Sequence, residues 1–180
     1  MKLITFMLLS LSTLITMAQN PKRVIRKLGD NPVFFIDSIN VDRSELEKYQ
    51  PTEIASVTIY KDSNAIKLVG PDGKDGVIYI TTKVFAKKQY WTYFSSKSAA
   101  YAALVPTPES DTAIQYILNK RLLKTNFEGD LMLITDTLFK SITIIDKETL
   151  QIEYGISGKI AGVKIEADKP GGLYHARKKF

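Results

Sequence analysis

The chain has 180 residues, a formal net charge of +6, one histidine and no cysteine. Without cysteine there is no disulfide, no thiolate nucleophile and no route to a lipid anchor that needs a cysteine at the cleavage site. The length suits one compact domain or two small ones.

Residues 1–18 read as a secretory signal peptide. Lys2 is the charged start, Leu3 to Leu14 is mostly apolar, and Thr16-Met17-Ala18 precedes Gln19 as the cut site. That apolar run is shorter than the ~20 residues a spanning helix needs. The processed chain is therefore expected to have no transmembrane segment and to be periplasmic or secreted. Residues 19–31 form a basic arm with Lys22, Arg23, Arg26 and Lys27. This cluster, and Arg177, Lys178 and Lys179 in a flexible basic tail over 170–180, read as solvated charge.

Val33-Phe34-Phe35-Ile36 is a short apolar run, expected as a buried strand that ends at Asp37. Ser44 and Glu47 have the spacing of a capping box opening a short helix that stops before Pro51. Val57 and Ile59 alternate with Ser56, Thr58 and Tyr60, the pattern of a strand with one buried face. Asp62 or Ser63 is expected to cap a further short helix, and Gly70 to end it. Gly76 to Thr82 is β-branched and aromatic, a third strand.

Over 85–111 the composition changes. Tyr90, Trp91, Phe94, Tyr101 and Leu104 recur at helical spacing among alanines, which predicts an amphipathic connector helix over 86–104. A stiff loop with Pro106 and Pro108 follows. Residues 113–118 are the next strand, with Asn119 in the place of Asp37. Leu131 to Ile134 reads as strand or helix. Ser141–Ile145 is a strand, Asp146 caps a helix to Tyr154, and Gly155 ends it. Val163, Ile165 and Ala167 alternate with Lys164, Glu166 and Asp168, a strand with one face in water.

Two of these stretches are alike. Ser56, Thr58, Ile59, Gly70, Gly73 and Lys74 recur 85 positions later as Ser141, Thr143, Ile144, Gly155, Gly158 and Lys159. One inserted residue then aligns Gly76-Val77 with Gly162-Val163. Glycines at fixed spacing between strand-like runs imply a repeated backbone path. The expected fold class is α+β: two β-α-β-(α)-β repeats, 32–84 and 112–169, with small sheets, joined by the aromatic helix.

The first repeat resembles the plug domain of TonB-dependent outer-membrane receptors of the Bacteroidetes type. The resemblance rests on Phe35-Ile-Asp37, on Ile54 to Tyr60 followed by Lys61-Asp62, on Val69-Gly70, and on Gly73-Lys-Asp-Gly76-Val-Ile-Tyr-Ile-Thr-Thr-Lys83. It covers 32–83, and the second repeat matches more loosely. Ser38 stands where the family prefers glycine, Val69 where it has tyrosine, and no barrel follows. The resemblance implies a plug-like fold and an envelope address, without transport by this chain alone.

No residue set points to catalysis. His175, the only histidine, sits in the glycine-rich tail, so neither a zinc site nor a serine–histidine pair is expected. The loop Gly70 to Gly76 lacks the Gly-Lys-Ser/Thr ending of a phosphate loop and opens a strand rather than a helix. The chain is expected to be no enzyme and to use no cofactor, metal or nucleic acid. The expected function is an envelope protein-interaction module that pairs a partner along an edge strand, with Val163, Ile165 and Ala167 as the candidate edge. The alternative is a periplasmic binder of a small ligand of glycan or siderophore type.

Overall fold

The apolar runs at 33–36, 54–60, 77–82, 114–118, 139–146 and 161–167 become strands because neighbouring runs complete their backbone hydrogen bonds. The structure, a computed structural model, describes residues 28–169. The expected signal peptide over 1–18, residues 19–27 of the expected arm, and the expected tail with His175 lie outside the described residues. The fold is α+β, with helices and two four-stranded mixed sheets.

Sheet 1 contains β1 (Val33–Ile36), β2 (Ile39–Val41), β3 (Ile54–Tyr60) and β4 (Val77–Thr82) in the order β2-β1-β4-β3. Sheet 2 contains β5 (Ile114–Leu118), β6 (Arg121–Leu122), β7 (Phe139–Asp146) and β8 (Ala161–Ala167) in the order β6-β5-β8-β7. In both, the outer pairs are antiparallel and the central pair is parallel. The registers also correspond. Val57 pairs Ile80 as Ile142 pairs Ile165, and the ladder slips between Ile54 and Ser56 as it does between Phe139 and Ser141. The offset of 85 thus runs through both ladders without the inserted residue read from the sequence. Gly162 stands opposite Ile145 as Val77 stands opposite Tyr60, so its counterpart is Val77 and not Gly76.

The helices are α1 (Asp62–Val69), α2 (Lys83–Lys97), α3 (Ala99–Leu104), α4 (Glu128–Met132) and α5 (Lys147–Tyr154). The connector is two helices rather than one. At Ser98 the backbone is extended (φ −148°, ψ 113°), and Ser98 Oγ accepts from Tyr101 N at 3.1 Å to start α3. A serine that satisfies an early helix N–H favours a restart over continuation. The segment Leu131–Ile134 belongs to α4 and the turn after it, not to a strand.

The stretch at 43–48 is a 3-10 turn with no side-chain cap, so the Ser44/Glu47 box does not form. Glu45 pairs instead with Lys48, and Glu53 accepts from Gln50 N at 2.7 Å. Neither Asp62 nor Ser63 caps α1. Asp62 is its first residue, with φ 51°, and Lys61 precedes it in an extended conformation. The Asp146 cap is as expected: its Oδ1 accepts from Thr149 N at 2.8 Å.

The core lies between sheet 2 and the connector. Tyr90, Phe94, Tyr101, Tyr116, Val163 and Ile165 are buried in one cluster. Phe94 and Tyr101 meet edge to face at 5.9 Å, as do Tyr90 and Tyr116 at 5.7 Å. On the opposite face of sheet 2, α5 sets Leu150 against Ile117 and Ile145. All five residues of β5 are therefore buried.

Candidate functional site

Ile36 pairs Ile39, which leaves Asp37 and Ser38 as the two turn residues. Both have positive φ (50° and 73°), as a tight hairpin of this kind requires. Asp37 then reaches across to the start of α2: Oδ1 accepts from Thr82 N and Oδ2 from Thr82 Oγ1, each at 2.7 Å. Asn119 holds the same place in sheet 2, with φ 56° and its Oδ1 accepting from Ala167 N at 3.1 Å. Asp37 and Asn119 are thus clasps between a hairpin and the end of the neighbouring parallel strand.

The other motif residues also shape backbone. Gly70, Gly76, Gly155 and Gly158 have positive φ. Gly155 ends α5 in the left-handed region, where its N–H bonds Gln151 O at 3.0 Å. Gly73 is buried, and a Cβ there would overlap the carbonyl of Ala65. A Cβ at Gly162 would lie 3.0 Å from Leu150 Cδ1. The structure does not gather Asp37, Lys61, Asp62 and the glycines into one pocket.

The candidate edge requires correction. Val163, Ile165 and Ala167 lie on β8, an interior strand bonded to β5 on one side and β7 on the other. Val163 and Ile165 are fully buried. Alternation along a strand identifies its wet face and says nothing of its lateral neighbours, which is why β8 read as an edge. The long edges are β3 and β7. Over Ile54–Tyr60, β3 carries no charged side chain, and Val57 is 46% exposed. At its start α4 lies close: a Cβ at Gly129 would be 3.0 Å from Ala55 O. On β7, Lys140, Thr143 and Asp146 are exposed.

One buried polar cluster went unread in the sequence. Asp111 is 5% exposed and accepts from Lys87 Nζ and Tyr90 OH, each at 2.7 Å. Nearby the hydroxyls of Tyr101 and Tyr116 are 2.9 Å apart. Burial, reinforced by Asp111, pushes the Tyr90 phenol well above its ordinary range. Burial also raises Tyr116, and it lifts Tyr101 to about 12 against an opposing hydrogen bond with Tyr116. The available signal was Lys87 and Tyr90 three apart on one helix face, both within reach of an acid in the loop. These groups satisfy one another through the bonds named, Asp111 with Lys87 and Tyr90, and Tyr101 with Tyr116.

Among the described residues no set of three His, Cys, Asp or Glu side chains could hold a metal ion. Near α5, Glu148, Gln151 and Ile152 line a shallow depression open to solvent. No helix of the described residues is long and apolar enough to cross a membrane. No family model, no curated protein and no solved structure matches the chain.

Proposed function

We propose that this protein is a non-enzymatic interaction module of the cell envelope, plug-like and duplicated, that receives a partner's extended segment along the free edge of β3. The observation that carries the reading is an edge strand of seven residues without charge, proline or glycine, with Val57 exposed at its centre. Edge strands are normally blunted by charge, proline or a bulge, because unpaired N–H and C=O groups accept other chains. Among the described residues the devices on β3 lie at its start: the irregularity at Ile54/Ser56 and the approach of α4 to Ala55. Beyond them the strand is open to β-augmentation. The envelope address rests on the signal-like start and on the resemblance of residues 32–83 to receptor plugs. No feature among the described residues favours the small-ligand alternative.

The test is affinity capture from envelope extract with the tagged protein, beside a Val57→Lys variant. A lysine at an edge centre opposes strand addition and leaves an exposed site folded. A partner recovered by the wild type, displaced by untagged protein and lost with Val57→Lys supports the reading. A partner held equally by both proteins removes β3 from the function.

A further inference from the structure

The second long edge, β7, has a different character from β3. Its outer side is unpaired among the described residues, and it carries a charge near each end, Lys140 and Asp146, with Thr143 midway between them. All three are exposed. We infer that β7 pairs antiparallel with β7 of a second copy of this chain, about a two-fold axis at Thr143, to join two sheets into one of eight strands.

The sequence of β7 is self-complementary in that register. Counted along the chain about Thr143, Lys140, the extra residue of the β7–β8 irregularity, comes opposite Asp146 of the second copy, and the symmetry repeats the pair at the other end. Ile142 falls opposite Ile144, two apolar side chains that in each copy pack against the aromatic core. Thr143 falls opposite its own copy, a threonine pair of the kind found across antiparallel strands. The charges remain available. Asp146 accepts from Thr149 N and Oγ1 and from the backbone of Glu148, and Lys140 pairs with Asp168 with Glu166 close by. An ammonium has three donors and a carboxylate about four acceptor sites. Elsewhere on the same edge the match fails. An axis shifted to Ile142 sets Asp146 opposite Leu138 and Lys140 opposite Ile144, which leaves both charges unmatched.

The occupant is a second copy rather than an unrelated strand because the charge pattern is matched to its own reverse. β3 lacks this property, having no charge to match, and α4 abuts its start. The inference therefore stands apart from the β3 reading, and each is tested without the other.

The chain has no cysteine, so one introduced thiol reports on a single contact. The experiment is sedimentation velocity on the protein from cells expressing the full chain, between about 1 μM and 1 mM, where small strand-edge interfaces associate. The wild type should form dimers in this range. Thr143→Lys, which sets lysine against lysine on the axis, should raise the dissociation constant about tenfold or more. With oxidised glutathione added as the two-electron acceptor, Thr143→Cys should form a disulfide-linked dimer, since directly opposed Cβ atoms approach disulfide range. Val57→Cys on β3 should not. A wild type monomeric across the range, a dimer indifferent to Thr143→Lys, or cross-linking at Val57 as fast as at Thr143 would overturn the proposal. Should Thr143→Lys fail to fold, the two cysteine variants decide it.

Discussion

The two sheets share strand order, direction and register, and they differ in what covers them. Sheet 2 is covered on both faces, by the aromatic connector and by α5, and all of β5 is buried. In sheet 1, Ile39 is 66% exposed and Val57 46%. The same backbone plan therefore serves as a buried scaffold in one half and as a half-open surface in the other. Hydrogen-bond pattern fixes the topology, while local stability follows the apolar area removed from water. Sheet 2 should carry the stability, and sheet 1 should be free to carry the contacts.

The sharpest way to break that comparison is to truncate one apolar side chain in each half. Phe94→Ala empties a fully buried site beneath sheet 2 and is expected to cost about 3–5 kcal/mol in urea unfolding. Val57→Ala on sheet 1 should cost under about 0.5 kcal/mol, as exposed changes do. Near-equal losses would show that sheet 1 is as deeply packed as sheet 2.

Alkaline titration separates the halves by a different route. Tyr90, Tyr101 and Tyr116 all lie in the sheet 2 core, and burial raises each of their pKa values. In the unfolded chain they ionise near pH 10. Between that value and the folded one, about 12 for Tyr101, the folded state binds more protons than the unfolded. Stability is full below about pH 10 and falls as the pH climbs toward 12. The share of tyrosinate absorbance from these three should rise late and together with loss of the fold. An early rise equal to all nine tyrosines, with the fold intact, would contradict the buried cluster.

The clasps give a smaller and paired effect. Asp37 accepts two bonds from Thr82, and Asn119 accepts one from Ala167. Asp37→Ala should cost about 2 kcal/mol and Asn119→Ala about 1 kcal/mol by thermal denaturation. The reverse order would mean that the hairpin of sheet 1 is held by something other than its aspartate. Smallest is Ser38→Gly. It relieves a positive φ of 73° and loses the hydroxyl contact with Tyr79, for a net gain of about 0.5 kcal/mol. A loss of stability would show that the Ser38–Tyr79 contact outweighs the strain.

The sequence made local features legible and lateral ones not. Asp146 to Gly155 reads as a capped helix because cap, helix and left-handed stop are adjacent in the chain. The positive φ at Asp37 and Asn119 is consistent with residue types that tolerate it. The neighbours of β8 are set by pairing with β5, more than forty residues away, and no periodicity within β8 reports that. The break at Ser98 is hidden because helical spacing of the aromatics runs up to it and Ala99, Ala100, Ala102 and Ala103 after it favour helix, and only the serine's capping bond decides it. Asp111 read as a polar loop residue, because its burial depends on Lys87 and Tyr90 turning toward it from α2.

The close seat of Gly129 against Ala55 also bears on the order of events at synthesis. β3 leaves the ribosome about seventy residues ahead of α4, which at 5–20 residues per second is a delay of about 4–15 s. Throughout that interval the uncharged strand has lost no edge to α4 and is at its most prone to join another nascent chain. A larger side chain at 129 would prolong the exposure of the strand's start by hindering the helix that seats against Ala55. Its first symptom would be aggregation during expression, seen before any fall in the melting point of the molecules that do fold.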